Sequence, residues 1–258
     1  MSHTVPFEIP ALQAMKKYPE TLFYKGDLSL LGRPKVSIVG SRNISDYTRA
    51  MTYQLAKALA KRGVCVVSGA AMGVDAAAHS GAGADNTIAV MGNGLDIRYP
   101  AINQKLIEQI EQRGLVLSQF VDGFRATGWS FVVRNEVVVA LGDILVVTQA
   151  EIESGSMRSV AFAQKMGKEI WVLPHRLTES SGTNRLLLDG EAKAIYDIEA
   201  FAARFGVSAN SEIPKDAFFY FCQGVPTLDE AIERYADRVY EAELEGTIRI
   251  ENGKVLLN

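Results

Sequence analysis

The segment VSIVGSRNISDYTRA (residues 36–50) contains the features on which the fold prediction rests. Its first residues are mostly apolar, as in a buried strand. Gly40, Ser41 and Arg42 then interrupt the run, and a polar stretch of helical character follows. A strand that ends at a glycine turn and leads into a helix predicts the first half of a βαβ unit.

The same alternation of short apolar runs and helix-length segments continues to about residue 200. Runs such as VCVV and ILVV are apolar at every position, which is typical of parallel strands covered on both faces. The alternation predicts an α/β fold with a doubly wound, mostly parallel sheet. The candidate strands are residues 35–39, 64–68, 87–91, 115–119, 143–148, 169–173 and 192–196.

The flanking segments differ from this pattern and define the predicted domain boundaries. Residues 1–34 are predicted to be a short helical lead-in, and residues 35–205 form the α/β domain. Small and polar residues make 206–216 a linker. Residues 217–258 are predicted to form two helices and a hairpin, which together suggest a small winged-helix-like module.

Three local signals bear on this C-terminal module. Thr227 and Glu230 have the spacing of a capping box, and Asn252-Gly253 is a strong hairpin-turn signal. The second helix is acidic, and residues 216–258 contain 4 basic against 9 acidic residues, a net charge of −5. Acidic side chains repel phosphate, so we expect this module to pack or to contact protein rather than to bind duplex DNA.

Composition limits the remaining possibilities. The net charge is −3 over 258 residues, so the part before residue 216 has a net charge of +2 and can still carry a basic patch. The chain contains two cysteines, which gives no disulfide framework and favours a reducing cytoplasm. No apolar run approaches the ~20 residues that a membrane span needs, so no membrane association is expected.

The candidate binding residues follow the predicted strands, because ligands of open α/β sheets bind at the carboxyl ends of the strands. Glycines allow close backbone approach, helix N-termini attract anions, and arginine suits phosphate geometry. Arginines mixed with aromatic residues are also typical of surfaces that bind single strands. The candidate phosphate- or DNA-binding residues are Gly40, Ser41, Arg42, Ser68, Gly69, Gly73, Arg125, Trp129, Arg134, Ser154, Gly155, Ser156 and Arg158.

Several competing interpretations remain open for individual residues. Arg42 could instead pair with a nearby carboxylate, and Phe131 is expected in the core. A buried hydrogen bond between Asp75 and His79 is favoured over catalysis. The histidines and cysteines do not have a metal-binding spacing, and no nucleophile–base set is evident, so neither a metal, a cofactor nor a catalytic residue is predicted.

These motifs resemble those of the DNA-processing protein A family, also called DprA or Smf. Gly40-Ser41-Arg42 resembles the GSR motif of the family, and SGAAMGVDAAAH (68–79) and TIAVMGNGLDIRYPAIN (87–103) are similar to two further family segments. The resemblance implies an extended Rossmann-type fold over 35–205 that binds single-stranded DNA. It also implies homodimers, no established enzymatic activity, protection of incoming DNA in natural transformation, and loading of RecA recombinase.

The resemblance assigns Arg42 to a phosphate-binding pocket that Ser41, Ser68, Gly69, Gly73 and residues 154–156 line. This sequence departs from the family pattern at SQFVDG (118–123) and RNEV (134–137), which affects the expected groove between Arg125 and Glu136. The rival prediction is a nucleotide-binding or nucleotide-hydrolysing enzyme similar to phosphoribohydrolases. Their PGGxGT turn is replaced here by ESGSM (153–157), and the preference between single-stranded and duplex DNA stays open.

Overall fold

The computed structural model describes residues 2–206 and 216–257, and the chain divides between residues 207 and 208 into two compact units. Most of the predicted linker at 206–216 lies outside the described residues. In the described part of the chain, no helix is both long and apolar enough to cross a membrane.

A nine-stranded sheet in the order β1-β2-β6-β5-β4-β3-β7-β8-β9 organises the first unit. From β6 to β9 along this order, every pair of neighbouring strands is parallel. All seven predicted strands are present: those predicted at 35–39 and 87–91 have the predicted bounds, and the other five are shorter. The strands are β1 (His3–Thr4), β2 (Phe23–Gly26), β3 (Lys35–Val39), β4 (Cys65–Ser68), β5 (Thr87–Met91), β6 (Leu115–Ser118), β7 (Ile144–Val147), β8 (Ile170–Val172) and β9 (Lys193–Ala194).

Helices cover both faces of this sheet, as the continuous apolar runs predict. One core joins alternate strand residues such as Val67 and Val90 to α4 and α5, and a second joins Val66 and Ile38 to α1 and α2. The α/β, Rossmann-like fold class is therefore confirmed. The helices are α1 (Asp46–Ala60), α2 (Val74–Ala82), α3 (Gln104–Arg113), α4 (Gly128–Leu141), α5 (Gly155–Lys165), α6 (Ser181–Leu188) and α7 (Ile198–Ala202).

The strand order places a switch point between β3 and β7. From β3 the chain adds β4, β5 and β6 successively on one side, and α4 then leads back to β7 on the other side of β3. Connections that leave neighbouring strands in opposite directions open a crevice at the carboxyl ends of those strands. The Gly-Ser-Arg turn after β3 lies at this crevice.

The N-terminal segment differs from the predicted helical lead-in. It contains only short 3₁₀ turns, at Pro10–Ala14 and Leu28–Gly32, and its strands β1 and β2 extend the sheet in antiparallel orientation. Gly26 has a φ of +98°, and the carbonyl of Gly114 lies so close that no Cβ would fit. The pairing of β2 with β6 therefore depends on a contact about ninety residues away along the chain, which local sequence does not reveal.

The second unit has a core of its own. Its elements are α8 (Ala217–Gln223), α9 (Leu228–Tyr235), α10 (Asp237–Leu244), β10 (Ile248–Glu251) and β11 (Lys254–Leu257). The predicted capping box of Thr227 and Glu230 is present, and Asn252 and Gly253 both have positive φ in the turn between antiparallel β10 and β11. The predicted hairpin is present, but there are three described helices where two were predicted, and the winged-helix interpretation stays a prediction.

Candidate functional site at the switch point

A cavity of about 840 Å³ opens at the switch point, beside α4 and α5. It is formed by the segments that follow β3, β4 and β7 and by the first turns of the two helices. Nine of the thirteen candidate residues line it: Gly40, Ser41, Arg42, Gly69, Arg134, Ser154, Gly155, Ser156 and Arg158. Most of the candidates selected by the rule that ligands bind at the carboxyl ends of strands therefore line one cavity.

Two glycines hold the Gly-Ser-Arg turn in place. The Ser41 N–H donates to the carbonyl of Gln149 (2.8 Å), and the Ser41 carbonyl accepts from the Val74 N–H (3.1 Å). A Cβ on Gly40 would lie 2.8 Å from the Gln149 carbonyl oxygen and would overlap Val74. Gly73 has a φ of +77° and packs against the carbonyls of the same turn, so it supports the turn from behind and does not line the cavity.

The side chain of Arg42 is exposed, and its guanidinium lies 5.1 Å from the centre of the Phe131 ring. Within residues 2–206 and 216–257, no hydrogen bond or ion pair engages this guanidinium. The alternative that Arg42 pairs with a carboxylate is therefore not what the structure shows. Phe131, expected in the core, is only partly buried and forms the cavity wall on which Arg42 stacks.

Arg134 occupies the floor of the cavity, and only 4% of the residue is exposed. Its Nη1 donates to the carbonyl of Val90 (2.7 Å) and to that of Gly69, while Nε donates to Asn135 Oδ1 (3.0 Å). Burial lowers the pKa of Arg134, and the nearby carboxylate of Asp75 opposes that shift. Arg134, predicted as a phosphate- or DNA-binding residue, is thus a buried guanidinium that holds together the ends of β4 and β5.

Asp75 and His79 hold the loop that follows β4, but they do not bond to each other as predicted. Asp75 Oδ2 accepts from the N–H groups of Gly69 and Ala71, both at 3.2 Å. His79 Nε2 accepts from the Ala70 N–H at 3.3 Å. Each side chain thus accepts hydrogen bonds from backbone N–H groups of the loop, as buried polar groups require.

The protonation of these two side chains follows from their burial. Burial raises the pKa of Asp75, and Arg134 opposes this rise. Burial lowers the pKa of His79 to about 3, so the ring is neutral near pH 7. Because Nε2 accepts a hydrogen bond, Nδ1 carries the proton and donates to Thr87 Oγ1 at 2.6 Å. His79 therefore has a structural role, because it connects the Ala70 N–H of the loop to the Thr87 hydroxyl.

The other candidates lie outside the cavity lining. Ser68 is buried and its hydroxyl donates to the carbonyl of Ile38 (2.7 Å), so it joins two strands and cannot contact a ligand. Arg125 is exposed, and Trp129 at the start of α4 is 64% exposed. The Trp129 ring packs edge-on against Phe120, with ring centres 5.9 Å apart. Both side chains are accessible, as expected, but they sit beside the cavity.

The first turn of α5 supplies polar groups that lack partners. Ser154 is the N-cap residue, but its side chain makes no capping hydrogen bond. Among the described residues, the buried hydroxyls of Ser154 and Ser159 have no hydrogen-bond partner, and both residues line the cavity. A helix N-terminus attracts anions through its free N–H groups and its dipole. Hydroxyl donors without partners at the same place complete a site suited to a phosphate oxygen.

The charges around the cavity favour an anionic ligand. Arg42, Arg134 and Arg158 line it together with two carboxylates, Asp75 and Glu151. Glu151 accepts from the Ser181 N–H (3.3 Å) and hydroxyl at the start of α6, so it is already engaged. The lining in the described part of the chain contains no histidine, cysteine, lysine or tyrosine. Nor does that part contain a cluster of acidic, histidine or cysteine side chains that could hold a metal.

Comparison with known proteins decides the family. The model of the family described as DNA recombination-mediator protein A matches residues 6–206. This chain belongs to that family. The resemblance to DprA and Smf proteins drawn from its motifs is thereby confirmed.

One relative of this chain is DNA processing protein DprA of Streptococcus pneumoniae, which is 35% identical over 191 residues. That match covers 72% of this chain and 67% of the relative. Protein Smf of Synechocystis is 36% identical over 193 residues. That match covers 72% of this chain but 48% of the Smf protein, so the chain spans about half the length of this relative.

Two solved structures share the fold. DNA processing protein A of Helicobacter pylori, for which a unique single-stranded DNA binding mode is described, matches with a TM-score of 0.77 and 41% identity. The match covers 79% of this chain and 95% of the H. pylori chain. DprA of S. pneumoniae matches with a TM-score of 0.72 and 31% identity, over 81% of this chain and 75% of that one.

Sequence reasoning missed several residues of the site in this family member. Gln149 follows β7, where a polar residue after a strand could have been noted. Ser159 follows Ser156 by three positions on α5, so the two hydroxyls share a helix face. Phe131 carried no signal of its own, because the side chain of Arg42 that covers its ring comes from a segment ninety residues earlier.

Proposed function

We propose that this chain is a non-catalytic protein that binds single-stranded DNA at the switch-point cavity. The observation that carries the proposal is the Arg42 guanidinium, which is exposed, stacked on Phe131 and not bonded to a carboxylate in the described residues. An arginine held in this way can exchange water for a phosphate without breaking an ion pair. The described binding mode of the H. pylori relative supports the same ligand class.

We propose that the backbone and the bases of a strand contact different parts of this site. A phosphate between Arg42 and the first turn of α5 would meet a guanidinium, free helix N–H groups and the hydroxyl of Ser154. Phe131 and the neighbouring Tyr99, whose ring centres are 6.0 Å apart, offer aromatic faces on the other side of Arg42. Stacking on such rings tolerates any base, which suits a protein that binds strands of varied sequence.

The wider role is proposed on the basis of the family. We propose that the protein forms homodimers in the cytoplasm, protects incoming single strands in natural transformation, and promotes loading of the RecA recombinase. The acidic C-terminal module then contacts protein or packs on the chain rather than binding duplex DNA. Sedimentation of the purified chain tests the dimer. The rate at which RecA filaments form on coated single strands, with and without this protein, tests the loading role.

Titration of a fluorescent oligonucleotide tests the binding proposal. We expect wild type to bind, with log K falling linearly with log[salt] by ~0.7 per phosphate neutralised. Arg42→Ala should weaken binding and flatten that slope. The matched control is Arg113→Ala, which removes a half-exposed arginine whose partner, Asp85, is 3.9 Å away and which does not line the cavity. It should leave both quantities unchanged.

The competing function is binding or hydrolysis of a free nucleotide, because a cavity of about 840 Å³ is large enough for one. Wild-type protein that shows no affinity for single strands at low salt would refute the DNA proposal. Binding of a nucleoside monophosphate at the same cavity, with release of its base, would then establish the alternative. Binding of the oligonucleotide without any base release is the outcome expected for a non-catalytic protein.

A further inference from the structure

A second groove lies beyond β8, outside the cavity described above. It has a volume of about 560 Å³ and is lined by Ser45, Tyr47, Pro174, His175, Arg176 and Glu179. These residues come from two segments, the N-terminal turn of α1 and the loop that follows β8. None of them lines the switch-point cavity.

The end of β7 connects the groove to the switch-point cavity. Gln149 lines the cavity, and its Oε1 accepts from the Ser45 N–H (3.3 Å) and from the hydroxyl of Thr48 (2.7 Å) at the start of α1. The preceding residue, Thr148, offers its carbonyl to His175 Nε2 at 2.7 Å. Consecutive residues thus fix one wall of each pocket, so the two pockets are neighbours along the carboxyl edge of the sheet.

The exposed ring of Tyr47 and the partly buried ring of His175 form one side of the groove. Tyr47 is 45% exposed, and its ring lies edge-on to that of His175 with centres 5.6 Å apart. The Tyr47 hydroxyl donates to the Pro174 carbonyl at 3.2 Å, which fixes the ring. Because a carbonyl only accepts, His175 Nε2 carries the proton, and in the neutral ring Nδ1 remains an acceptor. A fixed aromatic face beside a hydrogen-bonding edge suits a flat heterocycle such as a base.

The positively charged side chain of Arg176 lines the same groove as Tyr47 and His175. The side chain of Arg176 is 87% exposed, and its nearest carboxylate, that of Glu179, is 3.9 Å away. Exposed pairs at this distance are weak, so the guanidinium is available to a stronger anion. The loop itself is held, because Asn184 Nδ2 donates to the carbonyls of Arg176 (2.9 Å) and Glu179 (2.8 Å).

We infer that this groove is a second subsite for the same single strand, which takes a base against Tyr47 and His175 and a phosphate on Arg176. The inference rests on the proposed function, because it extends the path of a strand held at Arg42. A duplex does not fit this role, since its base faces are stacked inside the helix and cannot reach an aromatic ring. The subsite makes binding depend on the length of the strand.

A length series tests the subsite. Affinities for dT4 and dT20 are measured by anisotropy with wild type, Tyr47→Ala/Arg176→Ala and Arg42→Ala. The double variant should bind dT20 about 5- to 100-fold more weakly, as expected for one lost stack, with a salt slope lower by ~0.7 for one lost phosphate contact. It should bind dT4 with the same affinity as wild type, because a strand this short makes its contacts at the switch-point cavity and does not reach the groove. Tyr47→Phe/Arg176→Lys keeps a ring and a charge and should recover most of the dT20 affinity.

Photocrosslinking gives an independent readout. A dT20 strand with 5-iododeoxyuridine, irradiated on wild-type protein, should yield a crosslinked peptide that contains Tyr47 or His175. Equal dT20 affinity of wild type and the double variant would overturn the subsite, provided that Arg42→Ala is weakened. Equal losses for dT4 and dT20 would also overturn it, because they would place the effect in the cavity at Arg42. Absence of wild-type binding to either strand refutes the proposed function instead.

Discussion

The buried histidine of the β4 loop gives a prediction about pH that can be worked out in detail. His79 has its usual pKa of 6.5 in the unfolded chain and a pKa of about 3 in the folded chain. At a pH between these two pKa values, His79 binds a proton in the unfolded state but not in the folded state. A depressed histidine pKa therefore contributes stability above pH 6.5, and that stability is lost as the pH falls.

The magnitude follows from the linkage relation. One proton taken up only on unfolding changes the free energy of unfolding by ~1.36 kcal/mol per pH unit. Integrated from pH 7.5 to 5.5 across the unfolded-state pKa of 6.5, the loss is about 1.4 kcal/mol. Asp75, whose pKa burial raises, acts in the opposite direction, since its folded form retains a proton more readily.

A comparison of wild type with His79→Gln isolates the histidine. Urea unfolding is followed by tryptophan fluorescence at both pH values; the only two tryptophans, Trp129 and Trp171, lie in the first unit and report on it alone. The wild type should lose about 1.4 kcal/mol more than the variant over this interval. Asp75 titrates in both proteins, so its contribution cancels in the difference.

Two further results belong to the same experiment. His79→Gln should be less stable than wild type at pH 7.5 by about 1–3 kcal/mol, because buried hydrogen bonds to Ala70 and Thr87 are perturbed. His175→Gln leaves that buried network intact and should lose less stability at pH 7.5 than His79→Gln does, because it perturbs only the part-buried bond to the Thr148 carbonyl. Equal pH slopes for wild type and His79→Gln would refute the assignment of a neutral, buried histidine.

Three other predictions concern the support of the site. Arg134→Gln should lower the free energy of unfolding by about 3–5 kcal/mol in urea titrations, because it leaves the buried Asp75 without its cation. A loss of less than about 1 kcal/mol would show that the Asp75 carboxyl is neutral in the folded protein. Gly73→Ala, at a φ of +77° against the Gly-Ser-Arg turn, should cost more in the same assay than Gly190→Ala, which has a φ of +71° but open space around it. Phe131→Leu should weaken single-strand binding about 5-fold or more with little change in thermal stability, because it removes the ring under Arg42; unchanged affinity would contradict this role.

Local sequence was sufficient for the parallel part of the sheet. Each strand from β3 to β8 lies in a short, mostly apolar run bounded by turn residues, and both signals belong to consecutive residues. The last strand of the sheet, β9, comprises only Lys193–Ala194. The strand β2 was missed because FYKG becomes a strand only where β6 provides a partner, and β6 begins at Leu115. The helix predicted around ALQAMKKY (11–18) is also absent from the described N-terminal segment. There the Tyr18 hydroxyl accepts a hydrogen bond from the Ile9 N–H, and this contact closes the segment into a compact turn.

The site was predictable in its segments but not in the direction of each side chain. Strand ends identified the Gly-Ser-Arg turn and the first turn of α5. The burial of Arg134 could have been recognised, because Ser130, Arg134, Val138 and Leu141 recur at helical spacing and all are buried on α4. The positive charge of Arg134 led instead to its prediction as a DNA- or phosphate-binding residue. Its partners, two carbonyls at the ends of β4 and β5, were beyond local inference.

The two arginines near the Phe131 ring suggest why β3 ends at Gly-Ser-Arg. Their guanidinium carbons lie 5.1 Å and 5.7 Å from the ring centre, yet only Arg134 is bonded and buried. The desolvation of Arg134 is offset within the folded protein, so this side chain adds positive potential without moving. Arg42 is exposed on the same ring and has no ion pair in the described residues, which is the basis of its proposed contact with a phosphate. Binding energy should therefore depend on Arg42 and folding energy on Arg134, so the two substitutions must separate affinity from stability if this division is correct.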